Sequence, residues 1–194
     1  MYRLVGVLLA AGCSRRFGGD KLMHPLENGT AIALSAARNL IAAVPESIAV
    51  IREQHQELAS ALSLSGFKVI QNPRAEEGMG TSLAVGTKAM IDADGWLIAL
   101  ADMPWVKTET IQALSDEMEQ GASMVAPIFQ QKRGHPVGFS SDWRNDLLGL
   151  CGDQGARHLL DEHVDALRLL TTNDPGVLRD IDVPGDLLRH SFGS

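Results

Sequence analysis

Cysteine is scarce: Cys13 and Cys151 are the only two in 194 residues. That is too few for a disulfide framework, and the six histidines are scattered with none in an HExxH pattern, so no zinc spacing is present. A reducing, cytoplasmic compartment is the expectation. Basic charge is also in deficit, with 17 Lys and Arg against 24 Asp and Glu. The chain as a whole therefore has no attraction for nucleic acid or an anionic membrane, and any basic site has to be local. No apolar stretch approaches the roughly 20 residues that span a bilayer. The opening MYRLVGVLLAAG carries a basic residue and a short apolar run, as a secretory leader does. It runs straight into Gly12 and two arginines, which reads better as a buried strand. Internal repeats, linkers and low-complexity segments are absent, and the length suits one sizeable core, so residues 1–194 are expected to form a single domain.

What is present is an alternation. Residues 3–10, 47–52, 67–71 and 96–101 are short runs, β-branched or leucine-rich, suited to strands buried on both faces. Between them, residues 30–43, 54–64 and 81–91 carry helical periodicity, with Thr30 and Thr108 as candidate N-caps. Further strands are expected at 123–128 and 137–140 around the polar turn QQKRGHP, then helices over 153–162 and from 184. The pattern predicts an α/β fold with a mostly parallel sheet, right-handed crossovers and helices on both faces.

Ligand sites in such sheets lie beyond the carboxyl ends of the strands. The first tip, VGVLLAAGCSRRFGGDK, is not a P-loop: five residues separate Gly12 from Gly18 where that motif has four, and Leu22 follows Lys21 where Ser or Thr is required. It is not GxGxxG either. What remains is a glycine-rich turn with exposed amides near Gly12 and Ser14, and with Arg15, Arg16 and Lys21 close by. That is either a cradle for a polyphosphate or a solvated loop. In LIALADMPWV, Asp102 ends an apolar strand and is either a ligand for a cation accompanying phosphate or a turn residue before Pro104. In DIDVPGDL, Asp182 is either a second such carboxylate or a helix N-cap. Asn72 with Gly78 to Ser82 opens a helix whose first amides and hydroxyls either meet a nucleotide or merely cap the helix. Arg133 and His135, in RGHP, are structural or line a substrate loop.

These residues carry a resemblance. LAAGCSRRFGGDK is similar to LAAGxSxRxGxxK, the signature loop of nucleotidyltransferases that activate small molecules with a nucleoside triphosphate. The nearest branch is the molybdenum cofactor cytidylyltransferases, relatives of the molybdenum cofactor guanylyltransferases. NPRAEEGMGTSLAVG, LIALADMPWV, RGHPVGF, GDQGARHLL and DIDVPGDL have counterparts there in the same order, nearly end to end. The resemblance implies a Rossmann-like fold of the nucleotide-diphospho-sugar transferase type. It implies transfer of CMP from CTP to molybdopterin with Mg²⁺, with a recipient molybdoenzyme as the further partner and neither nucleic acid nor membrane. It assigns Leu9, Ala10, Ala11, Gly12, Ser14, Arg15, Lys21, Asn72, Gly80 and Ser82 to the nucleotide, and Arg16, Lys21 and Asp102 to catalysis. Asp102 and Asp182 go to the metal, and Arg133 and His135 to the acceptor side. A guanylyl or sugar-phosphate nucleotidyltransferase, and a non-catalytic cofactor chaperone, are the alternatives.

Overall fold

In the computed structural model, which describes residues 2–12, 16–152 and 155–188, strand β1 (Leu4–Ala10) is buried at every position. Its unbroken apolar run has the physical cause anticipated for a parallel strand, because helices cover the sheet on both sides. β1 pairs in parallel with β2 (Ser47–Arg52) and β4 (Gly95–Leu100), and β3 (Lys68–Asn72) extends the sheet beyond β2. On the other side of β4, β7 (Val137–Ser140) runs antiparallel, followed by β5 (Met124–Phe129). The two-residue strand β6 (Lys132–Arg133) forms a hairpin with the end of β5, and β8 (Leu167–Thr171) pairs in parallel with β5. The sheet thus has eight strands, with β6 and β7 opposed to the rest.

Alternating residues of each strand feed two separate cores. Leu8, Ile51, Leu97 and Val125 pack on one face against Leu40 of α1 (Ile32–Ala43), Leu62 of α2 (Gln56–Leu64) and Leu114 of α4 (Thr108–Glu119). Val7, Val50, Ile98 and Phe139 pack on the other against Leu83 of α3 (Met79–Ala89), Leu147 of α5 (Arg144–Leu148) and Leu159 of α6 (Arg157–Glu162). No helix among the described residues is long and apolar enough to cross a membrane.

Local expectations need correction. Neither threonine caps a helix. Ala31 precedes α1 without a side-chain bond, and Thr108 is already the first helical residue of α4. The entry to α4 is held instead by Asp174, which is 2% exposed. Its Oδ2 accepts from the Lys107 amide and the Thr110 hydroxyl, both at 2.8 Å, and its Oδ1 accepts from the Gly176 amide at 2.8 Å. A carboxylate more than sixty residues away in sequence, at a separation of 67 from Lys107, replaces the local cap. Strand β8 and helix α5 were not anticipated either: β8 is a half-exposed edge strand with Arg168 in its middle, so it carries no apolar run. Residues 153 and 154 of the helix expected over 153–162 lie outside the described residues, and Gly155 and Ala156 are not helical; the helix is α6, which begins at Arg157.

Asp174 joins α4 to the segment that leads into Asp180 and Asp182. Gly176 belongs to that segment and packs so closely that a Cβ there would overlap the Trp105 carbonyl. Asp174→Ala would strand three donors, two of them buried and the Lys107 amide part-buried, and is expected to lower stability by about 2–4 kcal/mol. The urea-unfolding midpoint measures this; a midpoint equal to the wild type's would show that water takes over all three bonds.

Candidate active site

β1 and β4 stay paired to their ends, where the Ala101 amide donates to Leu9 O at 3.0 Å. Ala10–Gly12 and Asp102 therefore leave the sheet side by side. A third segment is drawn in when the Ile181 amide donates to Asp102 O at 3.0 Å, which sets Asp180 and Asp182 next to that tip. The loop after β1 then folds back over the same place, with Phe17 packed on Ile32 and Ile181.

At the centre is Lys21. Its ammonium donates to Asp102 Oδ2 at 2.8 Å and lies 3.6 Å from Asp182 Oδ1. The lysine side chain is 10% exposed and that of Asp102 26%, so this pair is desolvated enough for the Coulomb attraction to count. Arg16 reaches Asp182 Oδ2 at 3.3 Å, but with side chains 80% and 49% exposed that pair contributes about 0–1 kcal/mol. Four residues proposed from sequence, Arg16, Lys21, Asp102 and Asp182, thus meet in one place. Asp182 does not cap the following turn with its carboxylate, which faces Lys21 and Arg16. Asp186 does so, its Oδ2 accepting from the amides of Asp182 and Val183 at 3.0 and 2.9 Å. The carboxyl of Asp180 is pushed up from its ordinary range by burial first, and then by the charges of Asp102 and Asp182. Burial is the larger cause, and the neighbouring carboxylates add to it.

No group of three or more His, Cys, Asp or Glu residues among those described forms a ready-made metal cage. Asp102 and Asp182 instead converge on a single ammonium, and both are hard oxygen donors. This fits a cation that takes one or two protein carboxylates and completes its shell with phosphate oxygens and water, the habit of Mg²⁺.

The other residues proposed from sequence have varied commitments. Asn72, 1% exposed, donates from Nδ2 to Thr81 Oγ1 and Ser82 Oγ, both at 3.0 Å, and its Oδ1 accepts from the Arg74 amide at 2.9 Å. The Gly80 amide is bound to Gly152 O at 2.9 Å. The Thr81 and Ser82 hydroxyls and the Gly80 amide are thus already bonded within the chain at the start of α3. That helix entry is a braced wall tied to the end of β3 and to the loop at Gly152, and Gly78 makes the sharp entry at φ 119°. Ala10 and Ala11 are buried while Gly12 is exposed. Ser14 and Arg15 lie outside the described residues.

On the α3 and α6 side of the sheet, a cavity of about 500 Å³ opens beside the strand tips, with Leu9, Leu83 and Leu100 as apolar floor and Arg133, His135 and Arg157 among its polar walls. Arg133 is fixed by Asp161 at 2.6 Å. Burial pushes the His135 imidazole down to about 4, with the Arg133 charge acting in the same direction and Asp102 opposing it, so this ring is neutral at physiological pH. The His135 amide donates to Val177 O at 2.9 Å, and a Cβ on Gly134 would overlap that same carbonyl. The RGHP turn is therefore clamped to the segment that bears Asp180 and Asp182. On the opposite side, Arg16, Arg179, Asp180, Asp182 and Asp186 surround an open cleft of about 580 Å³. Sequence reasoning missed Asp174, which supports this segment, and His55, which contacts the loop through Asp20; neither stands in a recognisable local pattern.

Known proteins share this architecture. The chain is 34% identical to Purine catabolism protein PucB of Bacillus subtilis (strain 168), over 97% of both chains. It is 27% identical to nicotine blue oxidoreductase of Paenarthrobacter nicotinovorans, covering 96% of this chain and 95% of the other. With the molybdenum cofactor cytidylyltransferase of Escherichia coli (strain K12) it shares 24% identity over 94% of this chain and 92% of that one. The crystal structure of Rv0371c from Mycobacterium tuberculosis H37Rv matches with a TM-score of 0.84 at 25% identity over 97% of each chain. The same protein in complex with manganese matches with a TM-score of 0.81 at 24% identity, over 96% of this chain and 97% of the other. Residues 6–167, which run from within β1 to the start of β8 and include both Lys21 and Asp102, match the model of the MobA-like NTP transferase domain, and the chain belongs to that family.

Proposed function

We propose that the protein transfers CMP from CTP to the terminal phosphate of molybdopterin, releasing pyrophosphate and forming the cytosine dinucleotide form of the cofactor. The observation that carries this reading is the Lys21 ammonium held between Asp102 and Asp182 at the tips of the central strands. It is a phosphate-binding cation beside two carboxylates able to hold Mg²⁺. An acceptor phosphate oxygen forms a bond to the α-phosphorus while the bond from that phosphorus to the bridging oxygen of the β-phosphate breaks. The electron pair leaves with pyrophosphate. No protein nucleophile takes part, so the chain contributes position and charge. Lys21 and Arg16 stabilise negative charge that grows on the α-phosphate and the leaving group. Asp102 and Asp182 would hold Mg²⁺, which, when bound, neutralises phosphate charge and orients the triphosphate.

The cavity of about 500 Å³ suits the acceptor. Its apolar floor accommodates a flat ring system and its basic wall an anion, which answers the need for a local basic pocket on an acidic chain. A cytoplasmic, reducing location suits an oxygen-sensitive acceptor of this kind. The likeness to a relative named molybdenum cofactor cytidylyltransferase supports the same choice.

The direct test is conversion of α-labelled CTP to a labelled dinucleotide in the presence of Mg²⁺ and molybdopterin. Label transferred to another acceptor phosphate would retain the reaction and replace the substrate. Nucleotide binding without turnover would leave a cofactor chaperone. A redox reaction with no dinucleotide formed would align the chain with its relative named an oxidoreductase.

The base is assigned through Ala11, where the guanylyl-transferring branch typically shows a second glycine. This residue is 6% exposed at the end of β1, so its methyl occupies space and restricts the backbone under the base. CTP is expected to be preferred over GTP by about 1–3 kcal/mol, the range available to a small difference in shape. Competition between the two triphosphates measures this, and Ala11→Gly should narrow the ratio. Preference for GTP in the wild type would refute the assignment.

A further inference from the structure

The turn that delivers Lys21 has few holds of its own. Gly18 and Gly19 are exposed, Gly18 at φ 77°. Phe17 sits in a small apolar cluster, Arg16 and Lys21 reach Asp182, Lys21 also reaches Asp102, and Leu22 just after the turn is buried in the core with its carbonyl bonded to the Ala33 amide. Between the two exposed glycines and Lys21, the turn is fastened through Asp20. Oδ2 of Asp20 lies 2.6 Å from His55 Nε2. His55 is itself set by secondary structure: its amide donates to Arg52 O, at the end of β2, and its carbonyl accepts from the Ala59 amide in α2. The residue is 8% exposed, and among the described residues its buried Nδ1 has no hydrogen-bond partner. Among those residues the ring's one polar contact is therefore Asp20, with the proton on Nε2 donated to the carboxylate.

We propose that His55 is a positioning residue for the phosphate-binding turn, acting through Asp20 on Lys21. Two effects follow from the contact. The hydrogen bond removes conformational freedom from a turn containing two adjacent glycines, so that Lys21 is presented in one place. It also holds the Asp20 carboxylate against the β2–α2 corner, away from the neighbouring position where a triphosphate would be opposed by a like charge. The consequence for phosphate binding rests on the nucleotidyltransferase reading; the tether itself does not.

Two variants of the full chain separate hydrogen bonding from packing. In His55→Gln an amide N–H stands where Nε2 stood, whereas in His55→Asn the amide stops at the level of Nδ1 and cannot reach Asp20. Amide hydrogen exchange over residues 16–24 reads the tether, and steady-state kinetics with Mg²⁺ and CTP read its effect on Lys21. His55→Asn is expected to speed exchange in that segment and to lower kcat/KM about tenfold, more in kcat than in KM. His55→Gln should retain both properties, Asp20→Ala should reproduce the Asn variant, and the double variant should be no worse than either alone. Unchanged exchange in His55→Asn overturns the proposal. So does equal loss in the Gln and Asn variants, which would make His55 a packing residue, or a loosened turn with unaltered kinetics. If the wild type neither binds nor turns over CTP, the nucleotidyltransferase reading fails, and the tether stands or falls on the exchange measurement.

Discussion

Asp102→Ala is expected to reduce nucleotidyl transfer by about 10²- to 10⁴-fold at saturating Mg²⁺ and CTP while the fold persists, the scale of effect of losing one preorganised charge contact. The side chain is the anchor of Lys21 at 2.8 Å and one of the two carboxylates suited to the metal. Its backbone carbonyl, which draws in the segment bearing Asp182 through Ile181, is unaffected by the substitution. Some stability is lost, because a largely buried ammonium is left with Asp182 at 3.6 Å as its nearest carboxylate. Asp102→Asn separates the two effects, since it preserves volume and a hydrogen-bonding oxygen but removes the charge. Circular dichroism and a urea midpoint report the fold, and the dinucleotide assay reports the chemistry. A wild-type rate in either variant would take Asp102 out of the site.

Lys21→Ala is expected to lower kcat more than it raises KM for CTP, with a loss of about 10²-fold or more in kcat/KM, because the charge it meets grows during the reaction. A pure KM effect would mean that lysine binds ground state and transition state equally. The structure adds a second expectation of opposite sign. The ammonium now occupies the place between Asp102 and Asp182 where a divalent cation would compete with it. Lys21→Met should therefore bind Mn²⁺ more tightly than the wild type in the absence of nucleotide, as calorimetry would register. Equal affinities would show that lysine and metal use different oxygens. The variant should also be less stable at low ionic strength, because three neighbouring carboxylates, Asp102, Asp180 and Asp182, lose their common counter-charge.

Much of this was legible locally. The alternation of apolar runs and helical periods placed β1 to β5, β7 and the helices between them, because the period of a segment decides which side chains face the sheet and a doubly covered strand has to be apolar throughout. The strand tips were legible for the same reason: polar residues that abruptly end a buried run have nowhere to go but the ligand edge. Lys21 and Asp102 stood out in this way, and the family match over residues 6–167 agrees with the motifs that carried the resemblance. β8 escaped because an edge strand with one side exposed needs no continuous apolar pattern. The cap of α4 escaped because Asp174 does at long range what a threonine does at short range.

By itself the sequence determined the alternating α/β order and which residues could carry charge at the strand tips. Only the tertiary structure decided who meets whom. Whether Asp182 caps a turn or faces the site depends on the hydrogen bond from Ile181 to Asp102 O, between residues 79 apart in the numbering. That Lys21 lies between two carboxylates, and that His55 holds the residue before it, depends on strand order and crossover packing. Local preferences govern a few consecutive backbone angles, whereas these contacts form between segments that only the assembled sheet brings to the same edge.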